Sequence, residues 1–388
     1  MSDIIQTDNN YVAHTYGRFP IAIVGGKGAL CEGADGKRYI DLGSGIAVNI
    51  FGICDAQWQN AVASQIMKLQ HTSNLYYTEP CGRLAELLCT RTGLKKVFFG
   101  NSGAEANEAA IKAARLYSYN KYGEGRHTII TLKNSFHGRT ITTLSATGQD
   151  SFHTKFGPFT EGFVYCEAGN TEELEKLARE NACCAIMFEF VQGEGGVFPL
   201  PLEFVKSIER IAKANDLLMI ADEVQTGNGR TGTLYAYMQY GILPDIVTTA
   251  KGIGGGLPIG VTMLGEKVQD TFTPGTHGST FGGNPVCCAG AYNILSRIDD
   301  ALLEGVKKKA EYIRSELEGA AGVISISGLG LMMGIETVRP ASEIIADAAV
   351  AGVLILSAKN KVRLLPPLSI TMKELREAIG ILKEVIAK

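Results

Sequence analysis

The sequence has no long hydrophobic run. Its longest charge-free stretch, Thr271–Ser296, is broken by several glycines, two prolines, two asparagines and a histidine. That composition is unsuited to a bilayer-spanning helix. The opening residues, MSDIIQTDNNYVAHTYGRFP, hold neither an apolar core nor a small-residue cleavage pattern, so no secretory signal is expected. Excess charge is also lacking: 37 basic residues stand against 40 acidic ones, and the basic residues do not cluster. The chain therefore has no electrostatic footprint for nucleic acid or a membrane surface. Nine cysteines include the adjacent pairs Cys183–Cys184 and Cys287–Cys288, but no Cys-x-x-Cys. This argues against a thiolate zinc site and for reduced thiols in the cytoplasm. His71 and His277 lack metal-ligand spacing, and no metal is expected. No repeat or low-complexity linker divides the chain. G-x-x-x-x-G-K-[ST] is absent as well, which excludes a P-loop.

What is present points to a soluble α/β protein. Hydrophobic residues make up 45% and charged residues 20% of the 388, with 46 glycines spread throughout, as in folds with many tight turns. Short apolar runs alternate with amphipathic stretches, the pattern of a parallel sheet covered by helices. Strands are expected at 96–100, 127–132, 184–191, 217–221 and 245–250. A helix is expected to follow the first of these. A second, FVKSIERIAKAN, has Phe204, Ile208 and Ile211 on one face. Beyond about residue 285 the texture changes. A long helical stretch to about 320 leads to a strand pair in VISISGLGLMMGIE. A final helix is opened by a capping box of Thr371 and Glu374. The expected organisation is a large domain over 51–285 and a smaller α+β domain over 286–388. The hairpin-rich residues 1–50 are expected to pack with the latter.

Three segments carry chemistry. In GNSGAEANEAA a strand ends and Ser102 caps a helix, with Glu105 three residues later. Free amides and the positive dipole end make such a terminus an anion site, and Gly103 and Ala104 allow close approach. In LLMIADEVQTGNGRTG a strand delivers Asp222 to its carboxyl end, where open parallel sheets bind ligands. Gly227-Asn-Gly229-Arg-Thr-Gly232 matches a dinucleotide fingerprint, but Asp222 and Glu223 stand between strand and glycines and would repel a pyrophosphate. In TTAKGIGGGLPIG, Lys251 follows a β-branched run and precedes four glycines. Its apolar flanks argue against a surface loop, and its place before the glycines argues against a P-loop role. A lysine at a strand end, with glycines clearing space, suits a Schiff-base nucleophile, since desolvation lowers its pKa. Phosphate, protonated ring nitrogen and aldehyde are the three handles of pyridoxal 5′-phosphate.

From YGRFP through SGIAVN, NLYYTEP, NSGAEANEAA, FHGRT, QGEGG, DEVQTGNGRTG, TTAKGIGGGLPIG, HGSTFGGNP and VRLLPPL, the sequence resembles the class III aminotransferases of the fold-type-I pyridoxal-phosphate enzymes nearly end to end. The resemblance implies a mostly parallel central sheet with helices on both faces, plus a smaller α+β domain. It implies a homodimer with shared active sites. Lys251 would form the Schiff base, and Ser102, Gly103 and Ala104 would hold the phosphate, with Thr280 reaching the phosphate in the neighbouring subunit. Phe136 and Val224 would cover the two ring faces, Asp222 would pair with the ring nitrogen, and Gln225 would approach the ring hydroxyl. Glu223 is grouped with these cofactor residues. Arg139 and Ser279 would contact the amino donor. Arg363 would bind the α-carboxylate of glutamate, with Glu194 neutralising it otherwise. The implied reaction is ping-pong transfer of the terminal amino group of N2-acetylornithine to 2-oxoglutarate. Ornithine, succinylornithine and 4-aminobutyrate are alternative donors, and a nicotinamide oxidoreductase using GNGRTG is the alternative of another class. Glu189 is expected to support the pocket. His137 is open between a structural hydrogen bond and substrate contact, and Tyr76 and Tyr77 between interface core and pocket wall. Two departures from the family pattern stand out: GICDAQW replaces Gly-His-x-His-Pro, altering a helix start, and Phe190 replaces the Pro after Glu189, altering the backbone near Glu194.

Overall fold

The structure, a computed structural model, describes residues 2–388. Its centre is a seven-stranded sheet in the order Lys96–Gly100, Gly260–Leu264, Ile246–Thr249, Leu218–Asp222, Cys183–Phe188, Thr128–Leu132, Phe163–Cys166. The last five run parallel, while Gly260–Leu264 is antiparallel to both its neighbours. The inner strands read CCAIMF, LMIAD and IVTT and are buried throughout, as strands covered on both faces must be. Alternate side chains enter opposite cores. Ile129, Ala185, Met187 and Ile220 pack with Ala110, Ile111 and Ala114 of the Gly103–Tyr122 helix. Ile130, Ile186, Phe188 and Ala221 share the other core with Phe204, Ile208 and Ile211 of the Leu202–Ala214 helix.

Of two smaller sheets, one joins the ends of the chain and the other is built from its C-terminal part. Ile23–Lys27, Leu30–Gly33 and Arg38–Asp41 form an antiparallel meander, and Val353–Leu354 pairs in parallel with its last strand. Val323–Leu329, Met332–Thr337, Lys361–Leu364 and Leu356–Ala358 form the other sheet in that order. The Met372–Ile386 helix packs against the Ala341–Ala351 and Asp300–Leu317 helices and Val353–Leu354. Its Thr371/Glu374 capping box is complete, and Leu375, Ile379, Leu382 and Ile386 are buried.

Two expected elements are divided. The strand over 184–191 stops at Phe188. Glu189 then turns inward to accept the amides of Phe136 (2.9 Å) and Gly193 (3.2 Å), and Val191–Gln192 starts a separate two-stranded ladder. Phe190 is fully buried between Phe188 and Tyr240. The helical stretch over 285–320 is two helices, Pro285–Ser296 and Asp300–Leu317, because the Asp299 side chain accepts the Leu302 amide and restarts the second. At GICDAQW the helix Ala56–Ile66 is capped by Asp55, which accepts the Trp58 amide and pairs with Arg297 at 2.5 Å.

One backbone feature has no sequence signal. Ser44, Gly45, Ile46 and Ala47 all have φ between +49° and +64°, forming a single left-handed turn. Three of these residues carry a Cβ, and each costs about 1–2 kcal/mol there. Asp41 holds the turn by accepting the amides of Gly43 (2.8 Å) and Ser44 (2.9 Å).

Candidate active site

The carboxyl ends of the central strands open onto a cavity of about 630 Å³ lined by Ser102, Gly103, Ala104, Phe136, Arg139, Glu189, Asp222, Val224, Gln225 and Lys251. At one end Ser102 caps the Gly103–Tyr122 helix, accepting the Glu105 amide at 3.2 Å. The Glu105 carboxylate turns back to the Asn101 amide at 2.9 Å, so the first helical turn keeps free N–H groups at Gly103 and Ala104. A Cβ on Gly103 would meet Val224 at 2.8 Å, which is why only glycine lets the helix come this close to the opposite wall.

Asp222 is buried, and two donors fix it on one oxygen. Asn107 Nδ2 and His137 Nδ1 each lie 2.8 Å from its Oδ2, and the Val224 amide donates to Oδ1 at 3.0 Å. Asn107 is in turn held by donating to the His137 carbonyl and accepting the Thr248 hydroxyl. The carboxylate is thus oriented before any ligand arrives. Glu189 is also buried. Desolvation first, and the nearby Asp222 charge second, push its carboxyl well above the usual range.

Lys251 follows strand Ile246–Thr249 directly and takes a left-handed conformation, φ +48°. Burial pushes its amine below the ordinary lysine range, with Glu194 and Asp222 opposing and Arg363 reinforcing the effect. Strained backbone at the one lysine in the cavity is the pattern expected of a functional residue. Of the glycines after it, only Gly256 lines the cavity. At Gly252, Gly254 and Gly255 a Cβ would collide with Ile50, the Leu257 carbonyl, and Trp58 with Ile294, so these glycines seat the loop on the core.

The two arginines differ. Arg363, on strand Lys361–Leu364, is buried and donates to Glu194 at 2.6 Å and to Gln225 at 3.3 Å, while its Nε has no partner. Burial, the largest single effect, would raise the Glu194 pKa; the Arg363 charge and hydrogen bond, with Lys251 and Gln225, together outweigh it and hold the carboxylate below its usual range. Glu194 reaches this contact with phenylalanine, not proline, at position 190. Arg139 is exposed, lies over the rings of Phe152 (4.3 Å) and Phe136 (5.5 Å), and makes no ion pair among the described residues.

Three expected site residues lie elsewhere. The Glu223 carboxylate points away from the cavity, accepting the Thr226 hydroxyl and the Tyr237 amide; burial pushes its pKa up to about 7. A side chain next to Asp222 on an extended backbone faces the opposite side, so the Glu223 carboxylate offers no contact to the cavity. Ser279 and Thr280 are outside their own chain's cavity. Ser279 Oγ accepts Asn101 Nδ2 at 3.2 Å and Thr280 is exposed. Tyr77 and Tyr76 are exposed too, around a separate surface hollow with His71 and Gly283. Sequence reasoning missed Tyr16, Val48 and Asn107, which line the cavity. Asn107 had a signal, as a polar residue on an otherwise alanine-rich helix face.

GNGRTG is not a phosphate loop. Gly229 (φ +85°) abuts Leu368, Gly232 (φ +93°) abuts Lys307, and the loop docks against the C-terminal part of the chain. Among the described residues no group of three or more His, Cys, Asp or Glu is arranged to hold a metal, and no helix is long and apolar enough to cross a membrane.

A helix end with free amides, a buried carboxylate and a half-buried lysine around one cavity define a pyridoxal-phosphate-binding enzyme fold, and these residues fit that cofactor. The family described as aminotransferase class-III matches residues 11–386, and the chain belongs to that family of pyridoxal-phosphate-dependent transaminases. It is 49% identical over 387 residues to the acetylornithine aminotransferase of Haemophilus ducreyi, covering 99% of this chain and 98% of that one. It is 46% identical to that of Caldanaerobacter subterraneus, covering 99% of each. Among solved structures it superposes on the ornithine aminotransferase of Toxoplasma gondii with a TM-score of 0.95 at 30% identity, covering 99% and 94% of the two chains. On the N-acetylornithine aminotransferase of Stenotrophomonas maltophilia the TM-score is 0.85 at 33% identity, covering 99% and 98%.

Proposed function

We propose that the chain is a cytoplasmic homodimeric acetylornithine transaminase. It moves the terminal amino group of N2-acetylornithine to 2-oxoglutarate, giving N-acetylglutamate 5-semialdehyde and glutamate in arginine biosynthesis. Residues 51–285 form the cofactor-binding domain, and 286–388 with the first 50 residues form the smaller one. The observation that carries this reading is the contrast between an unpaired Arg139 at the cavity and an Arg363 closed by Glu194. Acetylornithine keeps its only carboxylate far from the reacting amine, so one arginine suffices and Glu194 stays on Arg363. Glutamate has a second carboxylate beside its reacting carbon and displaces Glu194 from Arg363. Arginine grips such groups with paired hydrogen bonds, so both substrates use one cavity.

The amides of Ser102, Gly103 and Ala104 would hold the cofactor phosphate, with Thr280 of the second copy completing that site. Asp222 would hold the ring nitrogen protonated, Phe136 and Val224 would cover the ring, and Gln225 would reach its hydroxyl. When bound, pyridoxal phosphate supplies an electron sink for the carbanion left by C–H cleavage. Lys251 Nζ, whose amine burial shifts toward the neutral form, takes the proton from the terminal carbon of the donor and later delivers one to the α-carbon of the nascent glutamate. Asn107 and His137 keep Asp222 from rotating, and Glu189 fixes the Phe136 and Gly193 backbone amides.

The test is kcat/KM for acetylornithine, succinylornithine, ornithine and 4-aminobutyrate with 2-oxoglutarate as acceptor. Acetylornithine is expected to lead; a preference for any of the other three overturns the donor. The second reading, ornithine, is supported by the fold match to the Toxoplasma gondii enzyme, and full-length identity of 41–49% to acetylornithine aminotransferases weighs against it.

A further inference from the structure

Arg230 belongs to the GNGRTG loop, which the cofactor site leaves unused. It is fully buried, 0% exposed, and has no carboxylate in ion-pair contact among the described residues. Its Nη1 donates to the carbonyls of Pro366 (2.5 Å) and Leu331 (3.2 Å), and its own carbonyl accepts the Leu331 amide at 3.0 Å. The glycine before Leu331 is squeezed against it: a Cβ on Gly330 would lie 2.6 Å from the Arg230 carbonyl oxygen. Both segments lead to the α-carboxylate arginine. Pro366 is three residues beyond Arg363, and Leu331 immediately precedes the Met332–Thr337 strand, which pairs Gly334 with Arg363. On the far side, Leu365 N donates to Leu42 O at 2.6 Å. Leu42 follows Asp41, which winds the left-handed turn ending next to Val48 at the cavity wall. Asp41 is the carboxylate whose field acts on Arg230.

A buried guanidinium is costly unless its environment is built for it. Here Nη1 alone is satisfied, by two backbone carbonyls on the segments that flank Arg363, while Nε and Nη2 have no partner among the described residues. We propose that Arg230 is a positioning residue for the glutamate half-reaction: it locks the Lys361–Pro366 segment so that Arg363 meets an α-carboxylate in fixed register, with Asp41 bracing the far side of that segment through Leu42. This rests on the assignment of that carboxylate to Arg363.

The experiment compares the two half-reactions of the holoenzyme, each followed by the cofactor's visible spectrum, in Arg230→Met, Arg230→Lys and Asp41→Asn. A misplaced Arg363 affects glutamate and spares acetylornithine, whose carboxylate goes to Arg139. The ratio of glutamate to acetylornithine kcat/KM is expected to fall about tenfold or more in Arg230→Met, mainly through KM, and by a few-fold in the two conservative variants. A merely structural role would lower folded yield or Tm and leave the ratio within about twofold in the folded fraction, and that result overturns the proposal. So does failure of all three variants to fold. If wild-type enzyme ignores acetylornithine, the donor assignment falls separately, and the KM for glutamate in the variants still reads the joint.

Discussion

Gly103→Ala tests whether the helix end at Ser102 is a cofactor cradle. Gly103 is the first helical residue and has ordinary helical backbone, so alanine adds no backbone strain and improves helix propensity by less than about 1 kcal/mol. The added Cβ would lie 2.8 and 3.0 Å from the two Val224 methyls. Val224 must therefore retreat by roughly 0.5–1 Å, and overpacking of this kind costs about 1–3 kcal/mol. Where that cost falls decides the outcome. Val224 lines the cavity, so in the apo-protein it relaxes into open space. With the ring bound it cannot. The net penalty of about 1–2 kcal/mol should thus appear in cofactor binding, as a 5- to 30-fold weaker Kd. Titrating apo-protein with pyridoxal phosphate and following the visible absorbance measures it, with apo Tm as the control. A Kd within about twofold of wild type, or a large fall in apo Tm with Kd unchanged, would refute the assignment of this wall to the cofactor.

Lys251→Ala should fold, lose the visible absorbance of covalently held cofactor and drop transaminase activity by several orders of magnitude; retained turnover would dismiss Lys251 as the amine. Glu223, raised from 4.5 to about 7 by burial, contributes stability below pH 4.5 that is lost as pH rises through 7. Glu223→Gln should therefore raise Tm more at pH 8 than at pH 5, with cofactor affinity unchanged; an equal gain at both pH values would contradict the burial argument. Arg139→Ala should raise KM for acetylornithine about 10- to 100-fold, the loss expected for one charge-assisted pair, and affect 4-aminobutyrate similarly. Co-expressed Lys251→Ala and Thr280→Val chains, each weak alone, should form a hybrid dimer with one intact site. No recovery of activity over the separate variants would rule out sharing.

The residues that meet the cofactor were legible because each sits at a strand or helix end marked by local chemistry: Ser102 by its cap, Asp222 by the apolar strand before it, Lys251 by the β-branched run it terminates. Their common cavity follows from the parallel sheet, which gathers strand ends from distant parts of the chain. Glu189 shows the limit. A continuous apolar run such as CAIMFEFV has no mark for the point where a carboxyl finds two amides and ends the strand. The left-handed turn at Ser44–Ala47 was equally silent, because non-glycine residues reach that conformation only when tertiary contacts impose it. Glu223 was grouped with its neighbours by adjacency in sequence, whereas alternation along an extended backbone sends successive side chains to opposite sides.

The pairing of Val353–Leu354 with Ile40–Asp41 also constrains how the molecule is made. The N-terminal meander leaves the ribosome with its last strand unpaired, and its partner is translated roughly 300 residues later. At 5–20 residues per second the gap is about 15–60 s. For that time Arg38–Asp41 is an open edge able to accept a strand from another chain. Its own charges, Arg38 and Asp41, with Lys37 before them, are the kind that discourage such pairing. Arg38→Val is therefore expected to lower soluble yield during synthesis more than it lowers the Tm of the finished protein.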